Sequence, residues 1–223
     1  MKVVQCWDDG VNDDIRLTDI FRKHGAKASF NLNPQTHRAE RNGGFSERWG
    51  KTIERLAKSE LAAVYAGFTI ANHSQSHPWP TRIPLSDWRD EVFDARKILQ
   101  DWFQRPIHGF VYPFGDCDAA TADVVREAGH CYARTTKNTT PCWPAEDPMF
   151  FHPDCHFHKD NFWELYEQAK ASNCGVFYFW GHSYEICTEE QWTAMDKQIA
   201  RITADPDTEW AELPELFGVT TQV

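Results

Sequence analysis

Two histidines four residues apart, His73 and His77, are the strongest local signal for chemistry in this chain. Imidazoles at this spacing reach a common point on a helical turn, or around a loop that enters a helix, and they suit zinc or a similar divalent ion. Such a pair also occurs as a surface or capping feature, so a metal site needs a third ligand from elsewhere in the chain.

Adjacent carboxylates, Asp8 and Asp9, provide a candidate for that ligand. They follow the apolar run Lys2–Trp7 and precede Gly10, and two neighbouring carboxylates stay ionised most easily beside a cation. One could bind the metal while the other acts as a general base. An Asp-Asp-Gly sequence is also ordinary turn chemistry, so the turn alternative stays open.

A third signal is His182, which comes at the end of the apolar run Phe177–Gly181. A histidine delivered at the carboxyl end of a buried strand is well placed to act as a general acid. The competing interpretation is a histidine whose hydrogen bonds are satisfied in the core.

Short apolar runs alternate with helical patterns along the chain, which predicts a repeating β-α arrangement. The predicted strands are Lys2–Trp7, Ala26–Leu32, Phe68–Asn72, Ile107–Tyr112, Cys131–Arg134 and Gly175–Trp180. The predicted helices are Asp13–Lys23, Thr52–Tyr65, a helix capped by Ser86, Asp118–Ala128, Asn161–Ala171 and Thr188–Ile202, with a loop over 38–50. This order indicates an α/β barrel or an open parallel sheet. The polar residues singled out above follow strand ends, as functional residues do in barrels.

Composition narrows the class of protein. The 223 residues include 41% apolar residues and carry a formal charge of −10, which predicts one globular domain spanning 1–223 and argues against a nucleic-acid partner. The seven cysteines form no CxxC pair, which indicates free thiols. Because no signal peptide or apolar membrane span is visible, we expect a cytoplasmic protein that does not contact a membrane; the oligomeric state stays open.

Together these motifs resemble the polysaccharide deacetylase family, also called the NodB-homology domain or carbohydrate esterase family 4. The resemblance runs in order from Val3 to about Tyr184, and its motifs are Trp7–Gly10, Ala26–Phe30, Asn72–His77, Pro113–Gly115 and His182. It implies a deformed (β/α) barrel of about seven parallel strands.

The resemblance also implies a reaction, the hydrolysis of an acetyl group on an N- or O-acetylated mono-, oligo- or polysaccharide. It makes Asp9, His73 and His77 the ligands of one divalent ion, with zinc expected and cobalt, nickel or manganese as alternatives. It makes Asp8 the base and His182 the acid, and it places the backbone N–H of Phe114, next to Pro113, at the oxyanion.

The chain departs from the family pattern in its third and fourth motifs. Val111 stands where the third motif has an arginine that supports the base, and the fourth motif has no clean match. If the stretch 151–159 is extended, its alternating histidines share one face, and we hypothesise that His156 reaches Asp8 in place of the arginine. A second metal site on that face is an alternative, and Arg134 and Lys137 are candidate contacts for an anionic substituent.

Aromatic residues near the predicted site are candidates for shaping a sugar-binding groove, chiefly Trp79 and Trp180. Two other functions compete with deacetylation. One is an allantoinase-like hydrolysis of a non-peptide C–N bond, whose known members often lack the metal ligands. The other is a carbohydrate-binding member of the fold without activity, which the loss of Asp8 or His182 would have favoured.

Overall fold

A computed structural model describes residues 1–220 of the chain. Its strands are β1 (Lys2–Asp8), β2 (Ser29–Leu32), β3 (Asn42–Ser46), β4 (Lys51–Arg55), β5 (Thr69–Asn72), β6 (Gly109–Val111), β7 (Tyr132–Arg134), β8 (Cys155–His156), β9 (Val176–Gly181) and β10 (Glu209–Trp210). Its helices are α1 (Asp14–His24), α2 (Leu61–Val64), α3 (Leu85–Phe103), α4 (Ala119–Glu127), α5 (Phe162–Ala171) and α6 (Glu189–Ala204).

Seven parallel strands form a sheet in the order β7-β6-β5-β2-β1-β9-β8, and β10 adds to the first residues of β1. The sheet curls into a barrel-like shape, because one stretch of chain contacts both of its edges. Phe151 pairs with Arg134 of β7, and four residues later β8 pairs with β9. The deformed (β/α) barrel expected from the sequence is confirmed.

Burial on both faces explains the continuous apolar runs of the central strands. Val3, Val4, Cys6 and Trp7 of β1 are all fully buried, as are Phe177 and Phe179 of β9. The helices pack around the sheet through one apolar face each; on α3 this face is formed by Trp88, Val92, Ala95 and Leu99. No helix within residues 1–220 is long and apolar enough to cross a membrane.

The region between β2 and β5 differs from the prediction. The predicted loop 38–50 and the first part of the predicted helix Thr52–Tyr65 form an antiparallel hairpin, β3–β4, and only Leu61–Val64 is α-helical. The hairpin is stabilised by contacts that no local pattern reveals, because Lys51 pairs with Asp13 at 2.7 Å and donates to the Ile186 carbonyl. The prediction of a Ser86 N-cap was also wrong, since α3 begins after Pro84.

Candidate metal centre and active site

The polar side chains that the sequence singles out meet at one end of the barrel. Parallel strands bring their carboxyl ends to the same edge of a sheet, so residues far apart in the chain become neighbours there. Asp8 ends β1, His73 follows β5, Arg134 ends β7 and His182 follows β9. The remaining site residues come from the turns that leave these strands.

The three predicted ligands, Asp9, His73 and His77, come together. Each offers one ligand atom, and these atoms lie within 4.8 Å of one another, close enough to share an ion. His73 and His77 lie on a loop rather than a helix, with their ring centroids 4.7 Å apart. A positive φ at Ser74 (63°) and at His77 (66°) folds the loop back so that both imidazoles face Asp9.

One hydrogen bond decides which nitrogen of His73 is free. His73 Nδ1 lies 2.8 Å from the Val111 carbonyl oxygen, and because a carbonyl only accepts, Nδ1 carries the proton. Its Nε2 therefore keeps a lone pair, which is the usual arrangement of a metal-binding histidine. Burial lowers the pKa of His73 to about 4 and also lowers that of His77, so both imidazoles are neutral near pH 7. One carboxylate and two neutral imidazoles fit a zinc-like ion.

The loop that carries the two histidines is held from the outside by Glu91 of α3. The Glu91 carboxylate accepts the backbone N–H of Gln75 at 2.8 Å, the N–H of Ser76 at 2.7 Å and the Ser76 hydroxyl at 2.6 Å. On the inner side, the buried Asn33 amide donates to the His73 carbonyl. This loop is therefore fixed before any ligand binds, which favours metal affinity.

Asp9 has a strained backbone and a cationic partner. Its φ is 88°, and the next residue must be glycine because φ at Gly10 is 64° and a Cβ there would lie 2.5 Å from His37 Cε1. Arg55 of β4 lies 2.9 Å from Asp9 Oδ1 and also donates to the Asp9 carbonyl. Burial alone would raise the pKa of Asp9, but Arg55 and three nearby histidines lower it well below the usual range. The carboxylate is therefore ionised.

Asp8 is the more deeply buried of the two carboxylates and has different partners. Its Oδ1 accepts from the Asn31 amide at 2.6 Å, and its Oδ2 forms an ion pair with Arg134, whose side chain is 0% exposed. Burial alone would raise the pKa of Asp8, but the Arg134 guanidinium, with help from His73 and His182, lowers it overall. The Trp180 ring covers this guanidinium, with its centroid 4.5 Å from Arg134 Cζ. Asp8 is thus kept ionised in a site shielded from water.

The hypothesis that His156 takes over the role of the motif arginine is wrong. His156 Nε2 lies 2.7 Å from the Glu185 carboxylate, and the cation on Asp8 is Arg134. Arg134 is consequently not free to contact a substituent of the substrate. The alternating face predicted for 151–159 does not form either, because only Cys155–His156 is a strand; His152 pairs with Thr135, and Asp154 accepts from the Tyr178 N–H.

His182 bridges the two carboxylates and a third acidic residue. Its Nε2 lies 3.7 Å from Asp8 Oδ2 and 4.0 Å from Asp9 Oδ2, while its Nδ1 lies 3.3 Å from Glu185 Oε1. Burial alone would lower the pKa of His182, but Glu185, Asp8 and Asp9 raise it overall. The pKa of Glu185 is lowered well below its usual value despite burial, because His156 and His182 both face it.

The other predicted site residues line the edge of the centre. Phe114 has a φ of 59° in the turn after β6, and its ring centroid lies 4.5 Å from that of His77. Pro113, the residue before it, is buried. Trp79 stacks on Phe114 with ring centroids 4.0 Å apart, and these two side chains are 38% and 46% exposed. The ring centroids of Trp180 and His182 lie 5.6 Å apart. Aromatic side chains therefore lie next to both His77 and His182 at the candidate centre.

Four polar residues of the site were assigned no such role from the sequence. Arg134 ends a predicted strand and Asn31 is the penultimate residue of another, so the rule that pointed to His73 and His182 could also have identified them. Glu185 stands three residues after His182, a spacing that brings side chains together in a turn. Arg55 gave no signal, because it lies in the part of β4 that was predicted as the start of a helix.

Comparison with known proteins agrees with this architecture. A family model described as polysaccharide deacetylase matches residues 1–133, more than half of the chain. The chain belongs to the polysaccharide deacetylase family. Since this is a family of carbohydrate deacetylases, the protein is an enzyme of the class that acts on acetyl groups. The match ends before Arg134, so Arg134, His182 and Glu185 lie outside it.

Solved structures of low identity share the fold. A peptidoglycan N-acetylglucosamine deacetylase, Bc1960, aligns with a TM-score of 0.62 at 13% identity over 98% of this chain and 89% of its own. A family 4 carbohydrate esterase from Streptomyces lividans, solved with acetate, aligns with a TM-score of 0.59 at 16% identity over 93% of this chain and 90% of its own. BA3943 from Bacillus anthracis, described as a pseudoenzyme of the family, aligns with a TM-score of 0.60 at 15% identity over 97% of this chain and 65% of its own. No curated protein sequence matches the chain significantly.

Proposed function

We propose that the protein is a metal-dependent hydrolase that removes acetyl groups from an N- or O-acetylated saccharide. The observation that carries this proposal is the convergence of the Asp9, His73 and His77 ligand atoms within 4.8 Å, beside an ionised Asp8 and within reach of His182. A carboxylate with two neutral imidazoles leaves coordination positions open for water and substrate.

The proposed ion is held by Asp9, His73 and His77, and zinc is the expected metal. When bound, it supplies a Lewis acid that polarises the acetyl carbonyl and acidifies water. Asp8 then accepts the proton of the attacking water. Because Arg134 keeps Asp8 ionised and Asn31 holds its second oxygen, the carboxylate is oriented before substrate arrives.

The negative charge that develops on the acetyl oxygen needs a donor nearby. We assign this role to the backbone N–H of Phe114, whose ring already contacts His77. The positive φ at Phe114 turns the backbone where the chain leaves β6, at the edge of the metal centre. A single donor of this kind contributes about 3–4 kcal/mol of transition-state stabilisation.

The leaving amine or alcohol must be protonated, and His182 is the proposed donor. Glu185 faces Nδ1 of His182, which leaves Nε2 directed toward Asp8 and Asp9. A carboxylate at Nδ1 both orients the ring and favours its protonated form. In this scheme Glu185 is a positioning residue, and His156 holds Glu185 from its other side.

The test is acetate release from a panel of N- and O-acetylated saccharides, measured with and without a chelator. We expect activity to disappear on chelation and to return with zinc, and cobalt, nickel and manganese are tested in parallel. Metal content should be close to one ion per chain. Activity that is indifferent to chelation would contradict the proposal and favour a metal-independent hydrolysis of another C–N bond.

A pair of histidine variants separates metal loss from general damage. His77→Ala should lose both the bound metal and acetate release, because it removes one of three ligands. His158→Ala serves as the matched control, since His158 is exposed and outside the ligand set. If both variants lose metal equally, the assignment of the ligand set is wrong.

A further inference from the structure

A cavity of about 530 Å³ adjoins the candidate metal centre. It lies between the β3–β4 hairpin and the turn after β2, and its lining includes Gln35, Arg38, Asn42, Ile53, Arg55 and Ser76. Two of these residues connect it to the centre, because Arg55 forms the ion pair with Asp9 and Ser76 precedes His77. A molecule whose acetyl group reaches the metal ligands therefore has a natural extension into this cavity.

The charge of the cavity is opposite to that of the protein. The chain as a whole carries a formal charge of −10, yet two arginines and no carboxylate line this space. Within residues 1–220, the Arg38 side chain makes no hydrogen bond or ion pair, whereas nearby Arg41 is neutralised by Glu60. Arg38 is thus an exposed guanidinium without a partner.

Nearby acidic residues do not cancel this charge. Glu54 lies between Ile53 and Arg55 in β4, and side chains alternate along a strand, so Glu54 projects to the other face of the hairpin. Glu91 is already engaged by the backbone N–H groups of Gln75 and Ser76. Asp9 compensates the charge of Arg55, so the uncompensated positive charge at the cavity is that of Arg38, which favours an anion.

The remaining lining suits a sugar. The amide side chains of Gln35 and Asn42 offer donors and acceptors for hydroxyl groups, and Ile53 provides an apolar surface. The cavity volume falls in the range of small-molecule sites. Arg38 presents a planar fork of N–H donors that matches a carboxylate or a phosphate in bidentate geometry.

We propose that this cavity binds an anionic substituent, a carboxylate or phosphate, on the sugar residue next to the one that carries the acetyl group. This inference rests on the proposed deacetylase function and names its substrate class as acidic acetylated saccharides. Arg38 is the main anion contact. Arg55 stays paired with Asp9 and is not required for the anion contact.

The test uses three acetylated disaccharides of equal size. One is neutral N,N′-diacetylchitobiose, one carries the carboxylate of an N-acetylmuramic acid residue, and one is a phosphorylated diacetylchitobiose. With the metal-loaded enzyme, we expect kcat/KM to be higher for at least one anionic disaccharide. Arg38→Gln should remove that preference, lowering kcat/KM for the anionic disaccharide by about 10- to 100-fold through KM, since hydrogen bonds to charged groups are the strong ones.

Two further variants serve as controls. Arg38→Lys keeps the charge but loses the fork, so it should retain only part of the preference. Arg89→Gln removes the same charge from an exposed arginine that pairs with Glu127 on α4, and it should leave the preference unchanged. A preference reduced equally by Arg89→Gln would point to net charge and would overturn the site.

The outcomes separate this inference from the proposed function. Equal kcat/KM for all three disaccharides in the wild type would overturn the anionic site and leave deacetylation standing. If no disaccharide releases acetate, the wider panel of acetylated saccharides decides the proposed function and calorimetric binding decides the site. Tighter binding of an anionic disaccharide that depends on Arg38 supports the site, and equal binding overturns it.

Discussion

The two sides of the candidate active site use opposite charges for opposite tasks. On the base side, the carboxylate of Asp8 is paired with a buried cation, Arg134, and its pKa is lowered. On the acid side, the imidazole of His182 faces the carboxylate of Glu185, and its pKa is raised. Neighbours that move the pKa values of two groups in opposite directions support the proposed roles of Asp8 as base and His182 as acid.

The two sides also differ in burial. Arg134 is 0% and Asp8 4% exposed in their side chains, whereas the side chains of His182 and Glu185 are 19% and 14% exposed. A fully buried charge depends strongly on its partner, while a partly solvated one depends less. We therefore expect substitutions on the base side to affect both stability and turnover, and those on the acid side mainly turnover.

The largest effect is expected for Asp8→Asn. The amide cannot accept the proton of the attacking water, so kcat should fall by about 10²- to 10⁴-fold, the usual contribution of a general base. Metal content should stay unchanged, because Asp9, His73 and His77 are intact. Acetate release and metal analysis of the same sample measure both quantities. An active Asp8→Asn enzyme would mean that another residue is the base.

The next effect concerns stability and is expected for Arg134→Gln. It leaves the Asp8 carboxylate buried without its cation, which should lower the free energy of unfolding by about 3–5 kcal/mol. Urea unfolding measures this change. The double variant Asp8→Asn/Arg134→Gln is the matched control and should recover much of the loss, since neither charge is then left alone. A double variant as unstable as the single one would show that the ion pair is not responsible.

A smaller effect is expected for Glu185→Gln on the acid side. This variant should lower kcat/KM for an N-acetyl sugar by about 10- to 100-fold, as loss of an orienting partner usually does. An activated ester such as 4-nitrophenyl acetate should be affected much less, because its leaving group departs without a proton. His156→Asn should follow the same pattern more weakly, and His158→Asn should change neither substrate. Equal losses on both substrates would contradict a role in leaving-group protonation.

The smallest effect on turnover is expected at Asp14, a buried carboxyl for which residues 1–220 provide no cationic partner. It accepts from Tyr65 at 2.6 Å and from Ser183 at 2.5 Å, and burial raises its pKa to about 7. Because the folded pKa is the higher one, its contribution to stability is complete below pH 3.8 and is lost as the pH rises to about 7. Asp14→Asn should flatten the pH dependence of the unfolding free energy in that window. An unchanged slope would place this titration elsewhere.

The sequence alone predicted those candidate site residues that a local pattern marks. His73 and His77 are four residues apart, Asp8 and Asp9 are adjacent, and alternating strands and helices predict a parallel sheet with these residues at strand ends. These features depend on neighbours within one turn or one strand. The meeting of the three ligand side chains follows from them, because parallel strands end at a common edge. The choice of a barrel over an open parallel sheet came from the family resemblance.

Only the tertiary structure decided which charges are partners. Asp8 and Arg134 are 126 residues apart, and Arg55 reaches Asp9 from a hairpin whose sequence resembles a helix. The first contact depends on the curling of the sheet, since β7 lies four positions from β1 in the strand order, and the second depends on where a hairpin outside this sheet packs. Both are properties of the whole chain. For the same reason, the sequence showed that Val111 stands in place of the motif arginine but not which residue supports Asp8 instead. A guanidinium can reach the same carboxylate from any strand that ends nearby.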